Sequence, residues 1–222
     1  MRKLIIIPVG SYEQHGPHLP LDTDYLIAEK ISESIANMYF GKINKGIQIG
    51  ISTEHDGFEK TKSITQDQFI NEIEKKINNL DKNAKLVIIN AHGGNIQALK
   101  VIEHLYQQKI FVFSIFSLIK EDLKKLRTSD LGGICHAGEF ETSIMLYLYP
   151  ELVKINKLSE EDIVYIPFLD PNYVKKKPKN WKTIHYSKSG ILGDPYQATI
   201  EKGKKWFEII VTKIIDSIRE RL

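Results

Sequence analysis

The chain has a single cysteine, Cys135, and three methionines among its 222 residues. One cysteine excludes an internal disulfide framework and fits a reducing cytoplasm. No run of about eighteen apolar residues reads as a membrane span. The first residues enter a strand pattern directly, without a signal-peptide layout. Neither sign of charge dominates: 31 basic against 28 acidic residues leave +3, too slight to specify a nucleic-acid partner. The G-x-G-x-x-G spacing is missing, and so is a Walker-type lysine-hydroxyl pair. With 42% hydrophobic residues the length suits one α/β domain over 1–222, without repeats or an internal boundary.

What is present is a run of short apolar strands, each followed by a polar loop and an amphipathic helix. Leu4 to Val9, Gly46 to Ile51, Leu86 to Ile89 and Ile110 to Phe116 read as strands. Helical spacing marks Asp24 to about Tyr39, a helix capped by Thr65, one after Asn95, one closed by Pro150, and a last one from about Ala198. This alternation predicts a mostly parallel sheet with helices on both faces. Ligands of such sheets bind beyond the carboxyl ends of the strands.

The loop after the first strand is the most informative. Pro8 to Asp24 places Glu13, His15, His18, Asp22 and Asp24 in a segment stiffened by Pro17 and Pro20. In extended chain, residues i and i+2 point the same way, so Glu13 and His15 converge, and Asp24 can return toward them from the next helix. Carboxylate, imidazole and carboxylate together suit a divalent zinc, iron or manganese ion. The alternative is a polar loop whose carboxylates cap the helix.

Other loops repeat the pattern. His92 follows the third strand and precedes Gly93 and Gly94, which admit a metal, or a phosphate, close to the backbone. His136 precedes a helix start at which Glu139 and Glu141 either complement the helix dipole or supply a further ligand. Successive helical residues diverge, so these two glutamates do not share one task. His136, assisted by Glu139, is the candidate for proton transfer. His55, Asn95 and Lys177 are candidate substrate contacts, with a loop-carbonyl partner the alternative for His55. His104 reads as an ordinary helix histidine, and His185 has no assigned role. Cys135 beside His136 raises a thiol nucleophile, but a metal-activated water accounts better for the surrounding carboxylates.

These pieces together resemble the creatininase (creatinine amidohydrolase) family. The similarity rests on G-S-Y-E-Q-H-G-P-H-L-P-L-D-T-D at 10–24, T-E-H-D-G-F at 53–58, N-A-H-G-G-N at 90–95, H-A-G-E-F-E-T-S at 136–143 and S-G-I-L-G-D-P at 189–195, in family order. The resemblance implies a two-metal amide hydrolase, holding two divalent ions as Fe(II), Zn(II) or Mn(II). Glu13, His15, Asp24 and His92 take the ligand places, Asp24 bridging, and a homo-oligomer is expected. Creatininase itself has a glutamate ligand where this chain has Gly94, so Glu139, Glu141 or water must replace it. That departure, with the F-E-K-T-K segment after His55, argues against creatinine as substrate. Among family branches, the short, Lys/Ile-rich chain looks most like the archaeal deformylases of flavin and deazaflavin coenzyme synthesis. Those enzymes release formate from a phosphorylated formamidopyrimidine ribonucleotide and depend on iron. Lys175, Lys176, Lys177, Lys179 and Lys182, in a long irregular segment, suit a phosphate or form a solvated loop.

Overall fold

A computed structural model describes residues 3–39, 41–81, 83–107, 109–173, 178 and 180–221. Its sheet has four parallel strands in the order β2-β1-β3-β4: β1 Leu4–Val9, β2 Lys42–Ile43, β3 Lys85–Asn90 and β4 Ile110–Ser114. β1 and β3 pair along their whole length, from Leu4 opposite Lys85 to Val9 opposite Asn90. All of β1 is buried, and so is β3 beyond Lys85. That fits a central strand covered on both faces, where apolar residues run on instead of alternating.

Ile6, Val87 and Ile89 pack on one side beneath α1 Thr23–Tyr39, α6 Glu139–Leu148 and α7 Ile200–Arg221. Ile5, Ile7, Leu86 and Ile88 pack on the other beneath α2 Gln66–Asn78 and α3 Ile96–Leu105. Each fully buried isoleucine contributes about 1.5–3 kcal/mol, so these two clusters hold the layers together. α2 begins at the expected cap: Thr65 Oγ1 accepts from the Gln68 amide, and Gln68 Oε1 accepts from the Thr65 amide.

Two expected strands differ. Residues 46–51 form no ladder strand and touch β1 through one bridge, Val9 to Ile47. Pro8 offers a carbonyl but no amide on that edge, so pairing thins there. Regular pairing occurs earlier, at β2. β4 ends at Ser114, where the chain turns into α4 Ile115–Leu118 and then α5 Lys120–Leu126. The described residues between 168 and 190 are irregular, as expected, apart from short 3-10 turns that include Thr183–His185.

Candidate metal centre

The loops after β1 and β3 lie side by side because those strands end in register. Each delivers polar side chains to one buried point. Glu13 and His15 come from the first loop, Asp24 from the first turn of α1, His92 from the loop after β3 and Glu141 from the first turn of α6. All five are buried. Among the described residues, three groups bring ligand atoms within 4.8 Å of one another: Glu13, His15 and Asp24; His15, His136 and Glu141; and Glu13, His55 and His136.

The two oxygens of Asp24 face different histidines. Oδ1 is 3.4 Å from His15 Nε2 and Oδ2 is 3.0 Å from His92 Nδ1. The Ser11 hydroxyl donates to Oδ2. Glu13 Oε2 is 3.4 Å from His92 Nε2, while Oε1 is 3.2 Å from His55 Nε2 and 3.6 Å from His136 Nδ1. Glu141 Oε2 stands 3.8 Å from His15 Nε2 and accepts from the Ala137 amide. Ala137, next to His136, holds a left-handed φ of 52°, a conformation that costs a non-glycine residue about 1–2 kcal/mol.

Backbone carbonyls set the far side of the rings. His15 Nδ1 is 3.1 Å from the Glu13 carbonyl and His92 Nε2 is 2.9 Å from the Ile51 carbonyl. An N–H donated to a carbonyl leaves the other nitrogen, His15 Nε2 or His92 Nδ1, to face Asp24, the arrangement of metal-bound histidines. Both oxygens of Glu13 and Nε2 of His15 are buried without a hydrogen-bond partner. A buried polar atom without a partner is costly, and a cation between these atoms satisfies them all.

Charge perturbs the group strongly. Burial raises Glu13 to about 7, aided by Asp24 against the pull of His92. Burial and the charge of Asp24 take Glu141 to about 8. Burial opposes a charge on His15, yet Asp24, then Glu141 and Glu13, push it up to about 9. His92 is also raised, with Glu13 and Asp24 overcoming burial. Burial acts to raise Asp24, but His15 and His92 hold it well below the usual carboxylate range. Shared protons would offset these charges, and a cation bound among them would displace the protons. Burial first, then neighbouring histidines, keep His55 and His136 well below the usual imidazole value.

Several expected residues lie elsewhere. Glu139 is turned away from the centre: its carboxylate accepts from the amides of Thr128 and Ser129, the Ser129 hydroxyl and Lys202 Nζ. The expectation that it assists His136 is corrected, because those donors already use its oxygens. Asn95 is likewise a buried strut, not a substrate contact. Its amide donates to the Gly10 carbonyl and Asn90 Oδ1, and its oxygen accepts from the Ile51 amide. His18 is buried with Nε2 on Thr142 Oγ1, and His104 and His185 are exposed. Lys177 lies outside the described residues, as do Lys175, Lys176 and Lys179. Lys182 donates to Asp56 Oδ2 and the Thr53 carbonyl, so its charge is engaged. Sequence reasoning missed Gln14, which touches both His55 and His136. The one hint was a long amide between two ligand-type residues.

A family model described as Creatininase, creatinine amidohydrolase, matches residues 1–218. The chain belongs to the creatininase family. The mycofactocin precursor peptide peptidase of Mycobacterium ulcerans (strain Agy99) is 31% identical, over 96% of this chain and 84% of its own. The 2-amino-5-formylamino-6-ribosylaminopyrimidin-4(3H)-one 5'-monophosphate deformylase of Methanococcus voltae (strain ATCC BAA-1334 / A3) is 27% identical, over 98% and 90%. A solved creatininase mutant of Zn-Zn type matches with a TM-score of 0.79 at 25% identity, covering 99% of this chain and 90% of the other. A structure titled creatininase Mn matches with 0.78 at 25%, covering 99% and 91%. This creatininase-family amidohydrolase cannot take a glutamate at position 94 in its present backbone. A Cβ at Gly94 would overlap the Ile51 carbonyl and stand 2.9 Å from Glu54 Oε1. The carboxylates that approach instead are Glu141, beside His15, and Glu54, whose Oε1 is 3.9 Å from His92 Nε2.

Proposed function

We propose that the chain hydrolyses an amide C–N bond at two divalent metal ions held by Glu13, His15, Asp24, His92 and Glu141. One observation carries this reading: the two oxygens of Asp24 face two different histidines across a buried point ringed by unpartnered Glu13 and His15 atoms. Cations held at this point would account for both halves, drawing on the Asp24 oxygens and on the unpartnered Glu13 and His15 atoms. Nitrogen and oxygen donors of this kind accept Zn(II), Mn(II) or Fe(II). Bound there, the ions supply an activated water and a Lewis acid for the carbonyl oxygen.

The protein residues do the rest. His136 donates Nε2–H to the Gln14 carbonyl at 2.7 Å, which leaves Nδ1 free to face the reacting atoms. Burial keeps the ring neutral, so Nδ1 takes a proton from the attacking water and returns it to the departing amine. Glu141 stands in for the carboxylate that Gly94 excludes. Cys135 has no part in this scheme.

The substrate proposal is the formamide of a formylaminopyrimidine ribonucleotide monophosphate, the compound in the name of the deformylase relative, hydrolysed here to formate by a cytoplasmic homo-oligomer. The mycofactocin peptidases favour a second substrate, a peptide amide, because their identity to this chain is higher. Incubating metal-loaded protein with the formamide nucleotide, a short peptide and creatinine decides among them, with light scattering for the oligomer. Formate release supports the first, a new amine terminus the second. Turnover of any of them without bound metal would sink the metal mechanism.

A further inference from the structure

We propose that Gln14 is a positioning residue that gives two adjacent histidines opposite faces: His55 keeps its ring proton on the nitrogen nearest Glu13, and His136 keeps a bare nitrogen there. The orientation of the Gln14 carboxamide follows from its neighbours. Oε1 accepts from the Gly16 amide at 3.0 Å, so the other end is the NH2 group. That group donates to the Gly190 carbonyl at 3.0 Å and meets His55 Nδ1 at 2.8 Å; His136 Nε2 is farther, at 3.1 Å, and two hydrogens serve only the two shorter contacts. An amide NH2 has no acceptor to offer, so His55 Nδ1 must receive the bond and the ring proton resides on Nε2. Thr183 Oγ1, 3.2 Å from the same nitrogen, can donate to it as well. His55 Nε2, the protonated nitrogen, is 3.2 Å from Glu13 Oε1 and so lies on the side of that carboxylate, without a hydrogen bond to it.

His136 is set by the backbone of the same residue. Its Nε2 is 2.7 Å from the Gln14 carbonyl, which can only accept, against 3.1 Å from the Gln14 amide nitrogen, so the shorter contact takes the ring proton and leaves Nδ1 bare at 3.6 Å from the same Glu13 oxygen. The rings lie against each other with centroids 4.3 Å apart. Both therefore carry the proton on Nε2, yet only His55 presents it to the site. Glycine at 190 makes the clamp sterically feasible: φ there is +89°, and a Cβ would overlap the Gln14 carboxamide.

The consequence is specific. Glu13, His55 and His136 have the spacing of a cation site, but a ring protonated on Nε2 has no lone pair there to give a metal. His55 thus presents a donor, not a metal ligand, to the site. The catalytic part rests on the amidohydrolase reading; the ring protonation does not.

Nitrogen-15 NMR of the full chain, labelled at histidine and titrated with zinc, reads the proton position in each ring. The expected pattern is Nε2–H on both His55 and His136, with no zinc shift at His55 Nε2. Protonation of His55 on Nδ1, on both nitrogens, or zinc ligation by its Nε2 would overturn the inference. Gln14→Glu should move the His55 proton to Nδ1 and lower kcat roughly tenfold, with KM within about twofold and zinc content unchanged. Gln14→Met, which avoids a carboxylate against the Gly190 carbonyl, should give a mixture of both His55 tautomers. In a His55→Gln background, which keeps an N–H donor without a tautomer, the Gln14→Glu effect should shrink below about threefold. An undiminished effect there would show that Gln14 does not act through His55. Failure of the hydrolase reading alone would appear as zinc binding and the expected ring pattern without turnover of any amide.

Discussion

Glu139 and Glu141 sit in the same first turn of α6, both buried, and their surroundings are opposite. Residues two apart on a helix do not share a face. Glu139 points to a cluster of donors: two amides, two hydroxyls and the Lys202 ammonium. Glu141 points to the centre, where Asp24 and Glu13 raise its pKa further beyond burial and only one amide and His15 oppose them. The first carboxylate is satisfied by the protein. The second belongs to a group with too few protons for its acceptors, as Glu13 shows most plainly with two unpartnered oxygens. Burial alone therefore does not separate a structural acid from a candidate metal ligand. The supply of donors does.

The largest effect should come from Asp24→Ala. Because each oxygen of Asp24 faces a different histidine, the variant should lose most bound metal by elemental analysis and nearly all hydrolysis. Full metal content with full activity would break the two-metal account. Glu141→Gln comes next, with metal affinity or turnover down by about 10–100-fold; an unchanged metal titration would move Glu141 to the structural side.

Glu139→Gln should do the reverse, leaving metal content intact while calorimetry records a stability loss of about 1–3 kcal/mol. Its pH dependence has a definite sign. Burial acts to raise the Glu139 pKa, but Lys202, Ser129 and Thr128 lower it below the ordinary 4.5. A depressed folded-state pKa contributes stability that is present above 4.5 and disappears as pH falls through the folded value. The gap between wild type and Glu139→Gln should therefore be flat near neutrality and close in acid. A gap that widened in acid would contradict the assignment. The smallest effect belongs to Cys135→Ser, for which turnover should stay within roughly tenfold, about 1.4 kcal/mol of barrier. A loss on the order of a thousandfold with metal still bound would revive the thiol nucleophile.

Much of this protein is legible in its sequence because the relevant signals are local. β1, α1, β3 and the Thr65 cap follow from apolar runs, helical spacing and a side chain bonding three residues on. Glu13, His15, Asp24 and His92 stand out because strand ends in a parallel sheet must project their loops to one edge. What the sequence could not decide depends on contacts between distant segments. Whether Glu139 or Glu141 faces the centre depends on how α6 is rotated against the loop at 128–129 and Lys202. Asn95 looks like a substrate contact until Gly10 and Ile51, far away in the chain, take up its amide. The weak pairing at 46–51 reflects a proline in a neighbouring strand. Gln14 carries no pattern of its own, and its place is set by Gly190, 176 residues away. Spacing along the chain determined which elements and ligand-type residues exist. Only the tertiary structure decided which way each buried polar group faces, since that depends on donors and acceptors that meet only on folding.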